Sequence, residues 1–156
     1  MGRTHNFVPA TSLDYRRLAE KRLPRFLFDY IDGGANDELT MRRNVEDFQS
    51  IRVRQHVMRD VSDIDTSTTL LGETVAMPVV LAPVGMAGLY SRRGELQAMR
   101  ASDMAGIPFT LSTLGICSLE ELRAQAKKPF WFQQYMIRDR KAVRRILERA
   151  MANGCA

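Results

Sequence analysis

Residues 77–86, MPVVLAPVGM, open the part of the chain that decides its fold. They contain a short continuous apolar run at 79–82, which ends at a proline and a glycine. Two further runs follow, PFTLS at 108–112 and FWFQQY at 130–135, and the segments between the runs have helical patterns. The order is βαβαβα. Continuous apolar strands that alternate with helices are typical of a parallel sheet covered by helices.

The helices that follow these strands have recognisable ends. We predict helices at about 94–105 and 140–152, and a shorter one after Ser118, where Glu121 completes a capping box. The other predicted boundary residues are Gly106, Asp139 and Gly154. A fourth strand should start where the sequence stops, so we expect the parallel sheet to have open edges and the sequence to be unfinished.

The first 76 residues predict a helical lead and a short hairpin. Ser12 is the expected N-cap of a first helix, and Pro24 opens a second that ends at Gly33-Gly34. Residues 36–38, Asn-Asp-Glu, should cap a third helix with their acids in its first turn. Residues 51–76, which include the alternating segment 51–54, predict short strands or a hairpin.

The glycines after the first parallel strand separate the possible α/β architectures. Gly85-Met86-Ala87-Gly88 lacks the GxGxxG spacing of a dinucleotide-binding domain, and no Gly-Lys-Ser/Thr occurs, which excludes a P-loop. In a (β/α)8 barrel the strand ends converge on one edge, and here they are 82–85, 112–113 and 133–135. Their backbone groups, hydroxyls, amides and phenol would suit a flat heteroaromatic ring.

Composition sets the outer limits of function. The chain has 156 residues, 45% hydrophobic and 26% charged, which is typical of one globular domain. No apolar run approaches about 18 residues, and the first six residues have no apolar core of a signal peptide. Cys117 and Cys155 form no CxxC pair, which favours a reduced intracellular protein. The net charge of +5 does not decide between an anionic substrate, a membrane surface and nucleic acid.

Five ordered motifs then resemble one family. They are FDYIDGGANDE at 28–38, RRNVEDF at 42–48, MPVVLAPVGM at 77–86, GIPFTLST at 106–113 and WFQQY at 131–135. From about residue 13 to 156 the chain resembles the N-terminal portion of the FMN-dependent α-hydroxy acid dehydrogenases and oxidases, and most of all their bacterial L-lactate dehydrogenases. The resemblance implies one incomplete (β/α)8 TIM-barrel domain over 1–156, with a lead at 1–76 and the first three βα units at 77–156.

The resemblance also implies roles for individual residues. Pro83, Val84 and Gly85 match the backbone segment that lies against the flavin, and Ser112 and Gln133 match polar contacts to its ring. The remaining matches concern the substrate: Tyr30 and Tyr135 match phenols that bind it, and Leu114 matches a residue of its pocket.

The same resemblance implies what the whole protein does. The expected reaction is FMN-dependent oxidation of an L-2-hydroxy acid, foremost L-lactate to pyruvate, with glycolate or mandelate as alternatives. The expected acceptor is a quinone, a cytochrome or oxygen, the full enzyme is expected to be a homo-oligomer, and no metal is implied. The protein is expected in the cytoplasm or peripherally on the inner face of the cell membrane. The family's catalytic His, Arg and Lys come from later strands, so neither His5 nor His56 receives a role and we expect no turnover from this chain alone.

Other interpretations stay open on the residues themselves. Tyr30 lies among apolar neighbours and could be a core aromatic, and Ser112 and Gln133 could be ordinary strand-end residues. The chain could also be a non-catalytic partial barrel that associates with a complementary chain. Nucleic-acid binding is disfavoured, because basic and aromatic residues are not interleaved on one segment.

Overall fold

The computed structural model describes residues 8–155, and the chain divides into two compact units, Met1–Arg59 and Asp60–Ala156. The expectations for the N-terminus, that it is no signal peptide and that His5 has no role, lie outside the described residues. Within residues 8–155 no helix is long and apolar enough to cross a membrane.

The first unit contains three helices, α1 Ser12–Arg22, α2 Arg25–Asp32 and α3 Leu39–Ser50. An ion pair joins the first two helices: Arg16 Nε lies 2.5 Å from Asp32 Oδ1, and Arg16 Nη2 lies 2.6 Å from Oδ2. The same guanidinium lies 5.5 Å from the centre of the Phe28 ring. A bidentate pair that also stacks on an aromatic ring fixes the packing of α1 on α2.

Two helix starts in this unit differ from the prediction. The N-cap of α1 is Thr11, not Ser12, because the Thr11 hydroxyl and the Asp14 carboxylate complete a reciprocal capping box. The predicted acidic cap of α3 is also wrong: Glu38 has φ +58° and makes no side-chain cap. Its carboxylate instead accepts a hydrogen bond from Gly34 N at 3.0 Å.

The end of α2 and the segment after α3 also differ from the prediction. Gly33 ends α2 as predicted, but with extended backbone at φ −81° and not in the left-handed conformation. Residues 51–54 form no strand, since their alternating pattern finds no partner strand in the described chain.

The second unit begins with the predicted hairpin. Strands β1 Thr68–Leu70 and β2 Glu73–Val75 pair antiparallel. Leu71 and Gly72 form the turn with φ of +48° and +86°. Positive φ at both central residues matches the right-handed twist of the flanking strands, which is why a glycine belongs here.

The remaining elements alternate as expected, with one addition. They are α4 Ala87–Tyr90, α5 Gly94–Ala105, β3 Thr110–Ser112, α6 Leu119–Arg123, β4 Trp131–Gln133 and α7 Arg140–Ala152. The short helix α4 is not predicted by the sequence. The predicted caps Ser118 and Asp139 accept backbone hydrogen bonds from the first turns of α6 and α7. Glu121 does not complete the predicted capping box, because its carboxylate pairs with Arg93.

The parallel strands lie side by side in chain order. Leu81 bridges to Phe109, β3 pairs with β4, and Phe130 bridges to Cys155. The bridge residue Cys155 thus lies directly after α7, at the place where the sequence predicted a fourth strand to begin. The first predicted strand, 79–82, is reduced to the bridge at Leu81. Proline explains this: the next donor along the edge would be the backbone nitrogen of Pro83, which carries no hydrogen.

The core of this unit lies between the parallel strands and helices α5 to α7. Its most enclosed side chains are Phe130, Met99 and Leu122, all less than 2% exposed. The rings of Phe109 and Phe130 are 6.4 Å apart at a tilt of 54°. Alternate strand residues such as Leu111 point into this core, so Ser112, the next residue, is free to face the other side.

Candidate functional site

The loops after three successive parallel strands are bonded to one another. We call this edge, residues 82–86, 112–116 and 133–135, the rim. Met86 N donates to Leu114 O at 2.9 Å, which joins the first loop to the second. The Thr113 hydroxyl donates to the Gln133 carbonyl and accepts from Tyr135 N at 3.2 Å, which joins the second to the third. The carboxyl ends of the strands therefore form one continuous surface.

The predicted flavin contacts Ser112 and Gln133 are brought together on this rim. Ser112 is buried, and its hydroxyl donates to Gln133 Oε1 at 3.3 Å and accepts from Leu114 N at 3.2 Å. The bond orients the planar carboxamide, so that the NH2 group of Gln133 is turned away from Ser112. The pair thus combines a hydroxyl and an amide donor at adjacent strand ends.

The predicted backbone contacts lie beside this pair. Pro83 and Val84 are exposed and Gly85 is half-buried. Val84 and Ser112 both line a cavity of about 280 Å³, whose other walls are mainly apolar. That volume is close to the lower end for small-molecule sites, about 300 Å³. A flat ring with alternating donors and acceptors along one edge fits a set of backbone, hydroxyl and carboxamide groups, so these residues suit the flavin of FMN.

The two candidate substrate phenols lie in different units. Tyr135 follows β4 on the rim and is 47% exposed, and Leu114, at 49%, follows β3. Tyr30 belongs to α2 of the first unit and is 54% exposed, so burial in a core does not account for it there. His56, which received no role, is also exposed in the first unit.

One buried carboxylate near the rim was missed by sequence reasoning. Glu95, in the first turn of α5, is 2% exposed. Its Oε1 accepts from Gly88 N at 3.1 Å and from Ile116 N at 2.8 Å, so it holds two loops at once. An acid in the first turn of a helix is the ordinary partner of the helix dipole, and nothing in the sequence indicates that this one is buried.

The electrostatics keep Glu95 ionised. Burial by itself would raise the pKa of Glu95, but the backbone N–H groups of Ile116 and Gly88 outweigh it, and the pKa lies below its usual value. Burial and the neighbouring Glu95 raise the pKa of the Cys117 thiol, which therefore stays protonated. Among residues 8–155 no three His, Cys, Asp or Glu side chains gather as a metal site would need.

Parallel strands in chain order, with helices between them and polar groups at their carboxyl ends, are the arrangement found in successive βα units of the (β/α)8 class of fold. The chain matches the profile of the FMN-dependent dehydrogenases over residues 19–156 and belongs to that family. This confirms the family, the fold class and, for the family, the cofactor FMN that the sequence predicted.

Individual relatives agree with this assignment. The chain is 54% identical over 149 residues to an L-lactate dehydrogenase of Alcaligenes faecalis, and 56% identical over 147 residues to one of Stenotrophomonas maltophilia strain K279a. These alignments cover 96% and 94% of this chain but 39% of each relative, so the chain spans about two fifths of their length.

Solved structures give the same picture. A soluble mutant of the membrane-associated (S)-mandelate dehydrogenase from Pseudomonas putida matches with a TM-score of 0.83 at 38% identity, over 91% of this chain and 40% of that one. A mandelate oxidase matches with a TM-score of 0.84 at 34% identity, over 95% of this chain and 43% of that one.

Proposed function

We propose that this chain supplies one wall of an FMN site in an enzyme that oxidises an L-2-hydroxy acid, with L-lactate, converted to pyruvate, as the foremost substrate. The observation that carries the proposal is the bonded pair Ser112–Gln133, with the exposed residue Val84 lining the same cavity as Ser112. Curated relatives named L-lactate dehydrogenase favour lactate, and solved mandelate enzymes make mandelate the second candidate.

The wall would hold the flavin by complementary contacts. The backbone of Pro83, Val84 and Gly85 would lie against one face of the ring system. Ser112 and the NH2 group of Gln133 would hydrogen-bond to the polar edge of the ring. When bound, FMN would accept the two electrons and the α-hydrogen that leave the hydroxy acid, and the protein would supply orientation and electrostatics.

The substrate would be held by phenols. Tyr135 is anchored to the second loop, because its backbone N–H donates a hydrogen bond to the Thr113 hydroxyl. The Tyr135 hydroxyl would donate to the carboxylate or the hydroxyl of the acid, and Leu114 would contact the side chain of the acid. On the family resemblance we propose a substrate contact for Tyr30 as well. No residue of this chain is assigned as the catalytic base, so the proton of the substrate hydroxyl goes to a group that the family carries on later strands.

We propose the remaining features of the enzyme on the same family resemblance. The residues form a single FMN hydroxy acid dehydrogenase domain, with the lead at 1–76 and βα units from 77 onward. The electron acceptor is a quinone or a cytochrome, the enzyme is a homo-oligomer, and it lies in the cytoplasm or peripherally on the inner face of the cell membrane.

The test is to purify the protein from its native gene and to record its intact mass and visible spectrum. We expect a flavin spectrum that bleaches when L-lactate is added without oxygen, and more slowly with D-lactate, glycolate or L-mandelate. A protein without flavin, which also takes up none from added FMN, overturns the proposal. Stable association of such a flavin-free protein with another chain would favour the non-catalytic partial barrel.

A further inference from the structure

We propose that Glu95 is a positioning residue that sets the spacing of the first two rim loops, and through them the shape of the flavin wall. The inference rests on the proposed function, since it concerns the same wall. Glu95 lines the same cavity as Val84 and Ser112, but the two hydrogen bonds of its Oε1 come from backbone nitrogens, so it acts on the wall through the backbone.

The two bonds of Glu95 reach loops that are distant in sequence. Gly88 lies in α4, directly after the loop that holds Pro83 to Gly85, and Ile116 lies in the loop that follows Ser112. One carboxylate oxygen accepts from both backbone nitrogens. A single oxygen atom of a residue in α5 therefore bridges the start of α4 and the loop after Ser112.

Close packing makes this bridge depend on its geometry. A Cβ at Gly88 would lie 2.8 Å from Cβ of Ile116 and 3.2 Å from Oε2 of Glu95, so the Ile116 side chain packs directly against the Gly88 backbone. The neighbouring bond from Met86 N to Leu114 O ties the same loops at a second point. A shift of either loop by a few tenths of an ångström would thus move Val84 relative to Ser112.

Packing alone does not explain why a charged carboxylate is buried at position 95. Burying a carboxylate costs free energy unless its oxygens accept hydrogen bonds. Oε1 has its two backbone donors, whereas Oε2 makes no hydrogen bond of ordinary geometry within the described residues, although the Cys117 thiol interacts with the same carboxylate. Charge-assisted bonds are about twice as strong as neutral ones, and two of them on one atom hold the loops more rigidly than an uncharged acceptor would.

The experiment compares Glu95→Gln with Asp103→Asn in the protein from its native gene. Asp103 is the matched control, because it is a carboxylate of the same helix that accepts a backbone hydrogen bond, from Lys127 N at 3.1 Å, near the opposite end of α5. Glutamine preserves the size and one acceptor oxygen of Glu95 but removes the charge. Two readouts are taken for each variant: hydrogen exchange at the amides of Gly88 and Ile116, and FMN affinity by fluorescence titration of the apoprotein.

We expect Glu95→Gln to speed exchange at both amides and to weaken FMN binding by about threefold to tenfold, as the loss of charge from one shared acceptor implies. Asp103→Asn should leave both quantities near wild type. FMN binding as tight in Glu95→Gln as in wild type, or unchanged exchange at both amides, overturns the inference alone. A wild-type protein that binds no FMN overturns the proposed function, and the two failures are therefore distinct.

Discussion

The Ser112 hydroxyl and Gln133 Oε1 lie 3.3 Å apart, so that two neighbouring parallel strands end in side chains bonded to each other. Ser112 also accepts from Leu114 N, which makes it the centre of a small network on the rim. Members of one hydrogen-bond network are not independent, and replacing one changes the orientation of the others.

Replacing Ser112 with alanine should therefore weaken FMN binding more than the loss of one contact would. We expect a decrease in affinity of about tenfold, because one hydrogen bond worth about 1 kcal/mol is lost and the Gln133 amide loses its orientation. The measurement is fluorescence titration of the apoprotein with FMN. Ser102→Ala is the control, since Ser102 is equally buried but donates to Met99 O within α5. Equal FMN affinities of the two variants would contradict the assigned role.

Leu122 is fully enclosed by the core of the second unit, at 0% exposed. Leu122→Ala should lower the free energy of unfolding by about 2–5 kcal/mol, because it removes buried methyl groups and leaves a cavity. Urea denaturation followed by circular dichroism measures the change. Leu147→Ala, at a position on α7 that is 42% exposed, should cost much less. Equal losses for the two variants would mean that the core does not lie where the structure puts it.

Glu120 of α6 forms a bidentate ion pair with Arg149 of α7, with both bonds at 2.6 Å. Its hydrogen bonds with Arg149 lower the pKa of Glu120 to about 2, from an ordinary 4.5. A carboxyl whose pKa is lower in the folded than in the unfolded state stabilises the fold above the unfolded value, and this stabilisation is lost as the pH falls through the folded value. Wild type should thus lose more stability than Glu120→Gln between pH 5 and about 2.

Urea titrations at a series of pH values test this difference. Glu148→Gln is the control, because it removes an exposed carboxylate of α7 and leaves the Glu120–Arg149 pair intact. It should follow the acid sensitivity of wild type. The same pH dependence in Glu120→Gln and Glu148→Gln would show that the pair contributes nothing.

The two cysteines should react slowly in the folded protein. Burial raises the pKa of Cys155 to about 11, and burial with the nearby Glu95 raises that of Cys117. Since the thiolate is the reactive form, alkylation of Cys155 by iodoacetamide at pH 8 should be on the order of 100-fold slower than that of an ordinary thiol. The rate should climb as the pH approaches 11, and both thiols should react quickly in urea. Mass spectrometry of timed samples measures each site, and rapid labelling at pH 8 would contradict the burial of these groups.

Much of the fold could be predicted because local and long-range signals agree. The apolar runs, Ser118, Asp139 and the glycine that ends α5 placed the alternating strands and helices close to where they lie. The predicted helix caps are wrong where a side chain bonds to a residue outside its own cap. Glu121 pairs with Arg93, the residue before α5, and Glu38 bonds to Gly34 N, and neither partner is part of a helix-cap sequence pattern.

The candidate site could likewise be predicted only in part. Because the ends of parallel strands meet at one edge, the proximity of Ser112 and Gln133 follows from their register, Ser112 opposite Gln133. Glu95 could not be found, because its burial results from two glycine-containing loops folding over the start of α5. The sequence predicts that Glu95 lies in the first turn of a helix, but it does not predict which loops bury its side chain.

The side-by-side order of the parallel strands has a consequence for how the protein is made. Each strand pairs with the strand before it, about 20 to 30 residues earlier in the chain. A growing chain can therefore add one strand and one helix at a time to an existing edge while synthesis continues, without waiting for a distant segment. Short loops also close at a lower entropic cost than long ones, so this part of the sheet is suited to form on the ribosome in the order in which it is translated.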